Sequence, residues 1–256
     1  MESGLTLAVE SGVARLKFTR PESRNSLTRS VCRELHAALT AVAEDANCRF
    51  LAIEGSGGAF ASGADIAELD ALRGNRAELR AVYRELRAVH ELLYGMNLIT
   101  IAVIDGFCMG AGLSLALACD LRLATPRSVF AAPPAKLGLI YSDTEVWRLA
   151  LHVGAAGARD LLFTGRRVAA EEATRLGLIQ RLSTADDPEA SLIELLGELG
   201  SCSRASLRKT KAQILRLERE GVHGLRGDEE AEEAFFEPDA AEGMRAFLER
   251  RKPRFP

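Results

Sequence analysis

Two apolar strand-like runs that each empty into a glycine-rich loop constrain this chain more than any other feature. Residues 50–53 and Ile99–Ile104 are β-branched, apolar and of strand length, which suits a sheet covered on both faces. The first run leads through Gly55, Gly57 and Gly58 into Ala59-Phe60-Ala61-Ser62-Gly63-Ala64-Asp65-Ile66. The second leads into Gly106-Phe107-Cys108-Met109-Gly110-Ala111-Gly112 and then the apolar helical run 113–119. Glycine permits backbone conformations closed to other residues and lets a ligand approach the main chain closely. A helix that starts just after such a loop offers free N–H groups suited to a partial negative charge. Two such starts facing one cavity present two convergent donors, which is what a thioester enolate or a tetrahedral oxyanion needs.

The remaining pattern is an α/β core followed by an α tail. Residues 5–9 and 14–18 read as strands around a Ser11-Gly12 hairpin. Thr28 is placed to cap a helix in which Val31, Leu35, Ala38, Leu39 and Val42 recur at helical spacing. Arg76–Tyr94 reads as a charged amphipathic helix, and from Ala169 onward the pattern is helical, with breaks at Gly177, Asp187-Pro188 and Gly221. With 256 residues, 47% of them hydrophobic, the chain can bury one substantial core plus a helical appendage. The expected division is a core over 1–195 and a helical region over 196–256.

Charge and cysteine usage exclude several classes. The 33 lysines and arginines nearly balance the 36 aspartates and glutamates, so no basic face is forced and nucleic acid is not an expected partner. The apolar run 98–104 ends at Asp105, far short of the roughly 20 residues that span a bilayer. Residues 1–10 alternate like a strand and lack the order of a signal peptide. The five cysteines are scattered, with no Cys-x-x-Cys pair, so neither a metal nor a redox motif is expected. A reduced, cytoplasmic compartment is the expectation.

The segment Arg20-Pro21-Glu22-Ser23-Arg24-Asn25-Ser26-Leu27, the two loops, Phe163-Thr164-Gly165 with residues 173–178, and the closing Met244, Phe247, Arg250, Arg251, Pro253 and Phe255 together resemble the enoyl-CoA hydratase/isomerase family, the crotonase superfamily. The order and spacing match over almost the whole chain. This resemblance implies a crotonase (ClpP/crotonase-like) spiral of ββα units with a C-terminal helical trimerisation region, assembled as a homotrimer or a dimer of trimers. It implies an acyl-CoA thioester as substrate, with coenzyme A entering as part of that substrate and no prosthetic group. The oxyanion-hole donors fall at the N–H groups of Ala64 and Ala111. Arg24, Asn25, Leu27 and Ala61 fall along the path of the CoA adenine and pantetheine. Asp65, Ile66, Gly110 and Pro134 fall at the substrate, Asp65 also serving with Asp120 to cap or brace the loops. Phe247 and Arg250 fall where the nucleotide pocket closes.

The departures from the family pattern concern the chemistry. Hydratases use two glutamates to hold and activate water, a general acid–base task. Here those positions are Ser114 and Pro134, neither of which is a carboxylate base, and this argues against simple enoyl-CoA hydration. Residues 134–141 are similar to the corresponding stretch of methylmalonyl-CoA decarboxylases, which also carry the proline and a tyrosine at Tyr141. Decarboxylation of a malonyl-type thioester is therefore one expected chemistry, with Tyr141 orienting the leaving carboxylate or protonating the enolate. Asp143, near where related isomerases place a carboxylate, is a candidate base for moving a proton along an enolate; Glu145 lies beside it. A hydrolase using Ser114 requires a histidine within hydrogen-bond reach. A non-catalytic acyl-CoA or acyl-carrier-protein binder is the alternative from a different class.

Overall fold

Strands β1 (Leu5–Glu10) and β2 (Val13–Phe18) form an antiparallel hairpin in which Glu10 faces Val13. The two residues between them, Ser11 and Gly12, both have positive φ (49° and 78°), the handedness that a two-residue hairpin turn demands. In this computed structural model, which describes residues 4–184 and 187–255, the chain forms two compact units, Met1–Ser191 and Leu192–Pro256.

After the hairpin, helix α1 (Arg29–Glu44) starts at Thr28, whose Oγ1 accepts the Val31 N–H at 3.3 Å, and it buries Val31, Cys32, Leu35, Leu39 and Val42. Three coils of the chain follow, each giving one strand to a first sheet, one to a second sheet, and then helix. The first coil is β3 (Phe50–Glu54), β4 (Ala59–Ala61), α2 (Ile66–Ala71) and α3 (Arg76–Tyr94). The second is β5 (Ile99–Ile104), β6 (Phe107–Met109) and α4 (Ala111–Leu117). The third is β7 (Leu121–Ala124), β8 (Val129–Ala131) and α5 (Asp143–Thr164), the last interrupted at Gly154 (φ 69°, ψ 165°). Then come β9 (Val168–Ala169), α6 (Ala170–Leu176) and β10 (Arg181–Leu182).

The first sheet has the order β1-β2-β3-β5-β7-β10 and the second β4-β6-β8-β9. From β2 to β10 the first sheet is parallel, and every residue of β5 is buried, as its unbroken apolar sequence dictates. This is the spiral of ββα units expected of the crotonase fold. The short strands β4, β6, β8, β9 and β10 are absent from the reading of the sequence because two or three residues are too few to show a period. The second unit is helical: the rest of α7 (Pro188–Gly200), then α8 (Arg204–Glu220), α9 (Glu229–Glu233) and α10 (Pro238–Leu248). No helix among the described residues is long and apolar enough to cross a membrane.

Buried polar groups bolt the second coil in place. Asp120 Oδ2 accepts both the N–H and the hydroxyl of Thr100, at 2.7 and 2.9 Å, tying the end of α4 to the start of β5. Arg122 is almost fully buried and donates to the carbonyls of Cys119 (2.8 Å) and Leu178 (2.7 Å), placing a cation at the C-terminus of α4. Its guanidinium also lies 3.4 Å from His152 Nδ1.

His90 is buried and His152 half-buried, and both are shifted toward the neutral form. Burial, together with Arg148 and against Glu145, lowers His90 to about 4; burial and then Arg122 lower His152 to about 4. An unfolded chain protonates both near the ordinary value, so unfolding takes up protons between about pH 6.5 and 4. Stability is full above that window and falls as pH drops through it. His90 alone is expected to cost on the order of 2 kcal/mol at about pH 5. A urea midpoint that does not fall between pH 7 and pH 5 would refute this.

Candidate active site

The second sheet brings the two glycine-rich loops together. Strand β4 pairs in parallel with β6, Ala59 opposite Phe107 and Ala61 opposite Cys108, so the segment after β4 runs against the segment after β6. A Cβ on Gly63 would stand 3.1 Å from the Met109 carbonyl oxygen and 3.3 Å from the Ala111 nitrogen, and one on Gly112 would stand 2.4 Å from the Ala61 oxygen. Only glycine permits so close an approach of the two backbones.

Local hydrogen bonding then aims the two peptide groups. Leu27 N–H donates to the Gly63 carbonyl at 2.8 Å, and Asp65 N–H donates to the Leu27 carbonyl at 3.3 Å. The Gly63 carbonyl and the Ala64 N–H belong to one planar peptide and point in opposite directions, so the Ala64 N–H faces away from Leu27. Ala111 is the first residue of α4, and its N–H has no partner within the helix. Among the described residues neither N–H meets an acceptor. Both residues line a cavity of about 140 Å³.

The cavity wall is mostly apolar, with Leu27, Cys32, Ile66, Leu69, Val82, Leu86, Leu137, Leu139 and Ile140 contributing. The Cys32 thiol is pushed up to about 12 by burial, with Glu68 and Glu85 adding to the effect, so it serves as apolar lining. The polar side chains of the wall are few: Ser62, Tyr83, Tyr141 and Glu145.

Glu145 is the residue that reading the sequence underrated. Ser142 caps α5 in a capping box: its Oγ accepts the Glu145 N–H at 3.4 Å, and its own N–H donates to Glu145 Oε2 at 3.0 Å. The Ser142 hydroxyl also lies 2.8 Å from Oε2. The other carboxylate oxygen, Oε1, accepts the Ser114 hydroxyl at 3.0 Å. The carboxylate is thus folded back over the first turn of α5 and pinned to α4, at the cavity wall. The signal was present in Ser142-Asp143-Thr144-Glu145, the S-x-x-E pattern that turns the fourth side chain back toward the cap.

The other candidates are placed as follows. Ser114 is buried, its hydroxyl bonded to Glu145 and, at 3.5 Å, to the Gly110 carbonyl; among the described residues no histidine bonds its oxygen, and the serine-hydrolase reading is withdrawn. Asp143 is exposed on the first turn of α5 and does not line the cavity, because the cap turns position 145 inward and leaves position 143 outside. Tyr141 lines the cavity, its phenol raised well above the ordinary value by burial and then by Glu145. Pro134 lines it as a buried residue in a 3-10 turn over Pro134–Leu137. Leu27, Ala64, Ile66, Gly110 and Ala111 also line it.

Asn25, Ala61 and Asp65 act on the loops themselves. Asn25, at φ 55° and 1% exposed, spends its amide on the backbone: Nδ2 donates to the carbonyls of Ser56 (3.1 Å) and Ala59 (2.7 Å), and Oδ1 accepts the Arg20 N–H at 3.0 Å. Ala61 is fully buried in β4 beneath Gly112. Asp65 caps α2 by accepting the Glu68 N–H at 3.0 Å and holds the Ser26 hydroxyl at 2.8 Å; the first of these bonds is the main reason that its carboxyl titrates below the usual range. Arg24 is exposed, at φ 52°, with its guanidinium 5.2 Å from the centre of the Phe107 ring. Phe247 and Arg250 belong to the second unit, Phe247 on α10 and 83% exposed, Arg250 just beyond it at φ 54°.

Comparison with known proteins places the chain in a family. The enoyl-CoA hydratase/isomerase family model matches residues 8–256. A Bacillus subtilis protein named "Probable enoyl-CoA hydratase" is 34% identical, the match covering 99% of this chain and 98% of that one. The crotonyl-CoA hydratase of Syntrophomonas wolfei is 31% identical over 98% of this chain and 97% of its own. The crystal structure of an enoyl-CoA hydratase from Bacillus anthracis superposes with a TM-score of 0.91 at 29% identity, covering 98% of each chain. With the family model spanning nearly the whole sequence and the two loops converging in space, the chain belongs to the enoyl-CoA hydratase/isomerase family.

Proposed function

We propose that this protein moves a proton along the acyl chain of a CoA thioester, an isomerase-type reaction through an enolate, with Glu145 as the base. The observation that carries the reading is a single carboxylate on the wall of the cavity that also holds the two free N–H groups. The thioester oxygen accepts from Ala64 and Ala111, so the negative charge that develops on deprotonation is met by donors already in place. Glu145 Oε2 is occupied by the Ser142 N–H and hydroxyl, and Oε1 by Ser114 alone. A carboxylate oxygen has two lone pairs, so Oε1 keeps one free to take a proton and return it at another carbon.

The same arrangement weighs against the other chemistries. Water addition by the family's two-carboxylate route lacks its second carboxylate, since position 134 is a proline on the wall. A malonyl-type substrate would bring its own carboxylate beside that of Glu145, and like charges in a cavity of low dielectric repel strongly. A mere binder has no need of a carboxylate held by three hydrogen bonds next to the donors.

The test is exchange. Incubation with saturated and 3-enoyl CoA thioesters in deuterium oxide, followed by mass spectrometry, is expected to show deuterium entering the acyl chain with native protein. Absence of exchange from every thioester, with binding intact, would overturn the proposal in favour of a binder.

For the rest of the substrate, Arg24 beside the loops is assigned to the path of CoA. The second unit also exposes Val222, Leu225, Phe235, Phe236 and Leu248, an amount of apolar side chain that favours self-association. Light scattering is expected to give a multiple of three subunits, and a monomer at micromolar concentration would contradict this.

A further inference from the structure

Four buried side-chain polar atoms lack a partner among the described residues: Arg49 Nε, His90 Nε2, Arg148 Nε and the Tyr141 hydroxyl. Of these residues only Tyr141 lines the cavity. A phenol taken out of water and left unpaired is unfavourable, and proteins keep such a group where something arrives to pair it. Its neighbours do not relieve it. Ser114, whose own hydroxyl is donated to Glu145, lies near enough to favour the phenolate slightly, but no hydrogen bond of sound geometry joins it to the phenol; burial and then the charge on Glu145 outweigh it and keep the phenol protonated, a donor. Tyr83, the other phenol of the wall, is likewise kept protonated by burial and then by Glu145.

The wall that receives the acyl chain is therefore not uniformly apolar. One patch of it carries two phenolic donors beside a carboxylate. A plain hydrocarbon chain would cover this patch and leave the Tyr141 hydroxyl unpaired in the complex. A carboxylated chain would meet the charge on Glu145. A neutral oxygen satisfies the donors and avoids that repulsion. We infer that the acyl group of the substrate carries a neutral oxygen function, a ketone or hydroxyl, which accepts a hydrogen bond from Tyr141. This deepens the thioester reading given above and rests on it for the orientation of the acyl group, while leaving the proton-transfer step aside.

Binding without turnover tests the inference. Hexanoyl-CoA and its 3-, 4- and 5-oxo analogues are titrated by calorimetry into native protein and into Tyr141→Phe, whose folding is checked by thermal denaturation. At least one oxo analogue is expected to bind native protein about three- to tenfold more tightly than hexanoyl-CoA, the range set by one net hydrogen bond. In Tyr141→Phe that preference is expected to vanish while hexanoyl-CoA binds as before or better. Equal or weaker binding of every oxo analogue by native protein overturns the inference, and this outcome needs no variant. A preference that survives in Tyr141→Phe overturns it too. If neither hexanoyl-CoA nor any analogue binds, the thioester reading itself fails, which is distinguishable from equal binding of all.

Discussion

Ala111→Pro is expected to lower kcat by roughly 10²–10³ while leaving the fold intact, because it deletes one oxyanion donor at the position where a helix best tolerates proline. Ala111 opens α4, and its N–H has no partner in the helix, so no structural hydrogen bond is lost. Gly110, which precedes it, sits at φ 54° and ψ −126°, well outside the α region that a following proline disfavours. The proline ring instead occupies the direction of the donor, toward the cavity. The thermal midpoint should stay close to that of the native protein, and turnover should fall with it unchanged. Native kcat in a folded variant would remove Ala111 from the mechanism.

Glu145→Gln is expected to reduce deuterium exchange into the acyl chain by about 10²–10⁴, the range that general acid–base catalysis contributes. The replacement is nearly isosteric and keeps the capping box, since glutamine serves at that position as well as glutamate. The affinity for a saturated thioester should change little, so the loss belongs in kcat. Asp143→Asn, two residues away but exposed, is the control and should exchange at close to the native rate. Exchange that persists in Glu145→Gln and disappears in Asp143→Asn would return the base to Asp143.

The two predictions probe features that differ in how far the sequence revealed them. The two proposed donors were legible because backbone groups depend on where strands end and helices begin, and glycine marks those points. Asn25 was legible as a position and not as a role. Its neighbours in sequence align with a CoA path, but its amide is consumed by the carbonyls of Ser56 and Ala59, which only the folded loop presents. Asp143 and Glu145 were two carboxylates at adjacent places in one reading. What separates them is a single cap: Ser142 turns position 145 back onto α4 and leaves position 143 exposed. The capping-box pattern was visible in the residues, yet the group against which Glu145 folds, Ser114, lies 31 positions away.

By itself, the sequence determined the family, the alternation of buried strands with helices, and the two glycine-rich loops, because strand burial, helix periodicity and glycine punctuation are local properties of consecutive residues. Only the tertiary structure decided that Ser114 meets a carboxylate from another helix. It also decided that the Tyr141 hydroxyl is buried without a partner. Both depend on side chains from separate coils of the spiral meeting at one wall, and such a meeting is set by the packing of α4 against α5, which no local pattern encodes.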